Sequence, residues 1–296
     1  MLMLWAVLVL LSAFLYAASN IVDRFQVTKQ FGKHFSLLGI TVVISGIMSL
    51  ALFPLSDYHS MGLVQVGVGL LIGALAVVSL LMYYKALKIE EVSTVVGIWA
   101  VEPIFVLILA YIFLGEAFGP LKYAGVFMIT IGAMLLQFKV TKARFGTAFW
   151  LMLGAGIFEA IEIILLKYLL AFGGFTTVFS LTRLGIFLFG LPVLALSLRD
   201  IRSVVRTRGV TPLGIAGFGE LLSISGAFLF VVAISLGYAT LVTALAYTQP
   251  LFVLALASLA AYFYPKIIEE RVNRKLLIAR GVSIALIILG SIAVAF

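Results

Sequence analysis

Cysteine is absent from this chain of 296 residues, histidine occurs twice and charge is scarce. Without cysteine there are no disulfides, no thiolate-held clusters and no thiol chemistry, although this assigns no compartment. Charged residues are 11% of the sequence, where a soluble domain carries roughly 25%. That excludes a soluble core wrapped in polar surface; the chain needs lipid as its solvent. His34 and His59 fall in predicted loops, far apart and beside no other candidate ligand, so no metal site is expected. No Gly-rich phosphate loop, HExxH, GxSxG or dinucleotide fingerprint occurs. No cofactor is expected, and the chemistry of nucleotide hydrolysis has no place in the chain.

What fills the sequence is apolar: 64% hydrophobic residues and a mean hydropathy of +1.25. Ten apolar segments stand out, at 4–20, 36–54, 62–86, 92–114, 120–138, 147–170, 177–197, 213–236, 240–264 and 276–295. Most reach the ~20 residues that cross ~30 Å of hydrocarbon. The first has the length of a signal peptide, but it lacks a basic lead and is followed by basic residues instead, so it reads as an uncleaved helix. The fold class is all-α integral membrane with ten transmembrane helices.

The net charge is +8. In a soluble protein this would suggest nucleic acid; here no nucleic-acid partner is expected, because membrane proteins retain Lys and Arg on cytoplasmic loops. Odd-numbered connections hold Arg24, Lys29 and Lys33, then Lys85 and Lys88, then Lys139, Lys142 and Arg144. The last two hold Arg199, Arg202, Arg206 and Arg208, then Lys266, Arg271, Arg274, Lys275 and Arg280. Only Lys122, Lys167 and Arg183 remain of the 20 basic residues. The expectation is a protein of the cytoplasmic (inner) membrane with odd-numbered loops cytoplasmic and both termini outside. Its partners are the lipid bilayer and a small-molecule substrate, and it acts as a monomer or homodimer.

One phrase is written twice. Glu102-Pro103-Ile104-Phe105 returns as Gln249-Pro250-Leu251-Phe252, each in the middle of an apolar segment. Tyr84-Lys85-Ala86-Leu87 lines up with Val231-Val232-Ala233-Ile234, and Gly67 with Gly214. At a slightly different offset Tyr16-Ala17-Ala18-Ser19 meets Glu159-Ala160-Ile161-Glu162, and Arg24 meets Lys167. The chain therefore divides into repeats 1–140 and 141–296, both within one membrane domain. Five spans per repeat is an odd number, so the second repeat enters the membrane upside down.

At these residues the chain resembles the drug/metabolite transporter superfamily, EamA type. The likeness runs from Tyr84-Lys85-Ala86-Leu87 through Ser93 and Glu102-Pro103-Ile104-Phe105 to Leu114-Gly115-Glu116. Asn20-Ile21-Val22-Asp23-Arg24-Phe25 and Arg183 also resemble features of some members. The second half departs from the pattern: Phe263-Tyr264-Pro265 stands where a Gly-Glu belongs, and Arg183 has no counterpart in the first half. The resemblance implies ten helices in two inverted repeats and the import or export of small organic molecules. It implies no particular substrate.

Ionisable side chains inside a bilayer cost roughly 2.5–3.5 kcal/mol on insertion scales and mark functional sites by default. Five need an account: Glu102, Glu159, Glu162, Arg183 and Glu220. Glu102 lies about 15 Å along its helix from the cytoplasmic end at ~1.5 Å per residue, and Gln249 lies at similar depth. Pro103 and Pro250, next in sequence, each remove a backbone N–H and bend the helix, so they are candidate hinges. Glu102 and Gln249 are expected to line a central site, with Glu102 holding a substrate amine or a coupling proton. The bland alternative is a bent helix with a neutral, hydrogen-bonded acid. Glu159 and Glu162 share a helix face. Glu159 is expected to face the site and Glu162 to form a structural ion pair with Arg183, or all three to form one structural cluster. Glu220 guards the inner mouth or merely meets water. Trp99, Tyr247 and Tyr16 fall at the depth of the glutamates and either add an aromatic wall to the site or are lipid-facing or packed aromatic filler. Gly69, Gly73 and the glycines 214, 217 and 219 suggest close helix packing. Glu90, Glu91, Glu269 and Glu270 read as solvated charges. The leading reading is a secondary transporter and not an enzyme. The alternatives are an intramembrane lipid-modifying enzyme and a channel or structural membrane protein.

Overall fold

The computed structural model describes residues 4–31, 35–90, 92–137, 146–263 and 274–295. The first repeat contains α1 (Leu4–Lys29), α2 (Phe35–Leu52), α3 (Leu63–Ile89), α4 (Val92–Trp99), α5 (Glu102–Leu114) and α6 (Pro120–Gln137). The second contains α7 (Thr147–Leu169), α8 (Phe175–Arg208), α9 (Thr211–Leu236), α10 (Ala239–Ala246), α11 (Gln249–Phe263) and α12 (Arg274–Ala295). All ten expected spans are present, and the fourth and ninth are each made of two half-helices, α4–α5 and α10–α11. Among the described residues nine spans are long and apolar enough to cross a bilayer, and Pro120–Leu136 is a shorter apolar helix.

Two helices overrun their apolar segments. α1 continues to Lys29 and α8 carries Arg199, Arg202, Arg206 and Arg208. Hydrophobicity marks where lipid ends, whereas Arg and Lys are good helix formers that let the helix continue into water. Lys33, His34, Glu91, Lys139, Lys142, Arg144, Tyr264, Pro265, Lys266, Glu269, Glu270 and Arg271 lie outside the described residues.

Polarity is turned inside out. Large apolar side chains face outward, Leu50 at 73% and Phe113 at 69% exposure, while Ser12, Ser45, Thr130, Ser180 and Thr240 are wholly buried. Outward leucine and phenylalanine suit lipid. Two of these inward hydroxyls bond across the packing: Ser12 donates to the Gly226 carbonyl at 2.8 Å, and Ser180 accepts from Tyr58 at 2.8 Å and donates to the Ser49 carbonyl at 3.0 Å.

The packing has the two-fold symmetry of an inverted repeat. α1 packs on α9 as α7 packs on α3; α2 packs on α8 and α6 on α12, each pair mapping onto itself; α5 packs on α7 as α11 packs on α1. Exchanging the five spans of one repeat for those of the other returns these principal pairings. Close crossings depend on glycine at a few points. A Cβ on Gly73 would strike the backbone of Gly185 and Ile186, and one on Gly125 would lie 2.9 Å from the Gly290 carbonyl. Gly69 meets Leu181 and Gly219 meets Val22. Gly214 and Gly217, expected to allow close packing, have open space where a Cβ would be.

Candidate functional site between the two helix breaks

Proline dictates the centre of the molecule. Pro103 has no N–H, so the carbonyl four residues back, on Trp99, has no helical partner. The helix stops there: α4 ends at Trp99, and Val101 N–H bonds back to Ile98 at 3.2 Å in a tight turn. α5 restarts at Glu102 with proline in its first turn, a position where a missing N–H is harmless. The ninth span repeats the solution. α10 ends at Ala246, Thr248 N–H bonds back to Leu245 at 3.1 Å, and α11 restarts at Gln249-Pro250. The expected bends are therefore complete breaks.

The breaks meet. Tyr247, in the turn between α10 and α11, places its Oη 3.0 Å from the orphaned Trp99 carbonyl and 2.6 Å from Glu102 Oε2. Glu102 is only 3% exposed. It sits in the first turn of α5, where the helix dipole favours an acid, and Glu159 faces it from α7.

A cavity of about 310 Å³ surrounds this junction. Tyr16, Trp99, Glu102, Glu159, Tyr247 and Gln249 all line it, as do Glu162, Arg183 and Glu220. Pro103 and Pro250 are buried behind the lining rather than in it. The lining acids are Asp23, Glu102, Glu159, Glu162 and Glu220, against a single guanidinium, Arg183. The cavity is thus strongly acidic in composition. Glu159 Oε2, Arg183 Nε and the Thr243 hydroxyl are buried atoms with no hydrogen-bond partner. Such groups are rare in native interiors and call for a ligand or water. One wall is aromatic: Tyr83 packs 4.9 Å from Trp99 and 5.2 Å from Tyr84 between ring centroids.

The expected pairing of Glu162 with Arg183 is not made. Glu162 accepts a hydrogen bond from Ser79 at 3.2 Å, because α3 packs directly on α7. Arg183 lies 4.6 Å over the ring of Phe179, its neighbour one turn back on α8, a cation–π arrangement. Glu220 does not simply meet water: it accepts from Thr41 at 2.8 Å and faces the cavity.

Residues 3–138 match the model of the EamA-like transporter family. Over those residues, the first repeat, the chain is similar to that family, which lies within the drug/metabolite transporter superfamily. It is an integral membrane protein of a class whose members are transporters. No curated protein matches the sequence. A solved crystal structure of a protein superposes with a TM-score of 0.66, covering 98% of this chain and 96% of its own at 16% identity. At that identity the likeness is one of fold, and it extends across both repeats.

Two features of this EamA-like chain escaped the reading of the sequence. Asp23 lines the cavity; the apolar run ends at Asn20, which puts Asp23 in a connection by sequence, and only the overrun of α1 brings it inside. The second concerns Leu114-Gly115-Glu116. Gly115 takes a left-handed φ of 67° that closes α5. The reversal sends Glu116 into the start of α10, where its carboxylate accepts from Ala239 N at 2.7 Å and Thr240 N at 3.0 Å. Lys167, at the end of α7, donates to the carbonyls of Ile234 and Gly237 at 2.7 Å each. An acid on a helix N-terminus and a cation on a helix C-terminus both suit the dipoles. Together they clamp the junction of α9 and α10. The Gly-Glu pair was legible as a motif, but its partner was not.

Proposed function

We propose that this protein is a secondary transporter that carries small organic amines, from amino acids to their cationic and drug-like derivatives, by alternating access coupled to protons. The observation that supports the reading is the acidic cavity at the meeting of the two helix breaks. Glu102 and Glu159 hold the amine, Gln249 and Tyr247 add neutral hydrogen-bonding groups, and Tyr16 and Trp99 wall the apolar part. Arg183 offers the one place for a substrate carboxylate. Pro103 and Pro250 are the hinges about which the repeats, 1–140 and 141–296, rock. Glu220 and Asp23 line the path toward the odd-numbered connections. The protein resides in the cytoplasmic membrane with those connections inside and both termini outside.

The test is counterflow in proteoliposomes with a panel of amino acids and organic amines, wild type beside Glu102→Gln. Saturable exchange of one amine class, lost or made insensitive to pH in the variant, supports the reading. Tight uptake of a dianion with no cationic co-substrate overturns the charge argument. Turnover of a lipid without flux overturns transport itself.

A further inference from the structure

We propose that Tyr247 is a proton-operated latch between the two repeats: its single hydroxyl proton serves either Glu102 or the orphaned Trp99 carbonyl, according to whether Glu102 itself carries a proton. This rests on the proton-coupled reading above and adds the group that transmits the proton's presence to the fold.

The argument is one of counting donors. Tyr247 Oη stands 2.6 Å from Glu102 Oε2 and 3.0 Å from the Trp99 carbonyl. A phenol has one proton to give and can also accept. An ionised Glu102 only accepts, and the charged acceptor forms the stronger bond. Tyr247 then turns to Glu102, and the carbonyl that Pro103 orphaned is left unpaired in a buried turn. A protonated Glu102 reverses this: it can donate to Tyr247 Oη, which frees the Tyr247 proton for the Trp99 carbonyl, while Glu159 is the other acceptor within reach of the same proton. The end of α4 is then tied to the turn between α10 and α11.

The latch exists on one side only. Repeat alignment places Ala246 opposite Trp99 and Ala100 opposite Tyr247. Ala100 has no hydroxyl, and among the described residues no side chain bonds the Ala246 carbonyl. The groups facing Glu102 that also titrate or carry charge are Glu159 and Glu162 from α7, Tyr16 from α1 and Arg183 from α8, with Asp23 and Glu220 further along the cavity. A pH effect on the cavity as a whole therefore does not identify the latch, and the test must isolate Tyr247.

Trp99 supplies the reporter, because the chain has three tryptophans and the other two, Trp5 and Trp150, can be replaced by Phe. Fluorescence of the remaining Trp99 is followed from acid to alkaline pH in detergent, with no substrate present. The expected result is a pH transition that is lost in Tyr247→Phe and in Glu102→Gln. Pro103→Ala, which restores a backbone N–H for the Trp99 carbonyl and keeps both partners, is expected to flatten the transition too. It serves equally if Tyr247→Phe does not fold. In proteoliposomes Tyr247→Phe is expected to lose accumulation of amine driven by a proton gradient. An unchanged Trp99 transition in both Tyr247→Phe and Pro103→Ala overturns the latch, whatever the protein carries. A wild type that carries no amine, yet shows the Tyr247-dependent transition, overturns the substrate reading and leaves the latch standing.

Discussion

The breaks in the fourth and ninth spans share a backbone and differ in chemistry. Both stop a helix three residues before a proline-bearing restart, and both put that restart near the middle of an apolar span. The fourth carries an acid, Glu102, and an indole, Trp99; the ninth carries an amide, Gln249, and a phenol, Tyr247. Duplication thus preserved what the backbone requires, while divergence assigned a titratable group to one side and its hydrogen-bonding partner to the other. Two identical breaks would give a symmetric cavity with either two acids in mutual repulsion or none.

The comparison breaks most severely when the breaks are made alike. Glu102→Gln is expected to lower proton-driven amine uptake by at least about tenfold, equivalent to about 1.4 kcal/mol of lost coupling, and to leave the residual flux independent of pH. Uptake in proteoliposomes at two external pH values measures both. Moving the acid sharpens the comparison: the double variant Glu102→Gln with Gln249→Glu is expected to regain amine counterflow without regaining pH dependence, because Ala100 stands at the repeat position of Tyr247. A full recovery of pH dependence would show that the acid's place among the two breaks is immaterial.

The clamp on the junction of α9 and α10 gives the next largest effect. Glu116→Ala leaves two buried N–H groups unpaired and is expected to cost about 2–3 kcal/mol of stability, read as a lower midpoint in denaturant unfolding. Lys167→Met at the other side of the same junction is expected to act in the same direction. The smallest effect concerns the orphan carbonyl. Tyr247→Phe is expected to cost about 1 kcal/mol, and most of that is expected to vanish when Pro103→Ala supplies the missing N–H. The double-mutant cycle reads the coupling directly.

Sequence reasoning reached the cavity because depth and helical face are local properties. Position along an apolar run places Glu102, Gln249 and Glu159 near the midplane, and spacing of three or four residues places Trp99 with Glu102. Each residue expected to bind substrate lines the one cavity. What escaped was the choice of partner. Arg183 and Glu162 lie at matching depths, yet Ser79 on α3 takes Glu162 and Phe179 takes the guanidinium. Gly214 has the same look in sequence as Gly73, yet one faces open space and the other a backbone.

The sequence by itself determined the solvent, the ten spans, the repeat and the position of the two breaks. Each follows from composition, from the duplicated phrase or from the missing N–H of proline, which no other backbone group of the same helix supplies. The tertiary structure decided which side chain completes which orphaned group: Tyr247 for Trp99 and Glu102, Glu116 for the start of α10, Lys167 for the end of α9. Those choices depend on how the inverted repeats cross, and residues far apart in the chain meet only once the helices have packed.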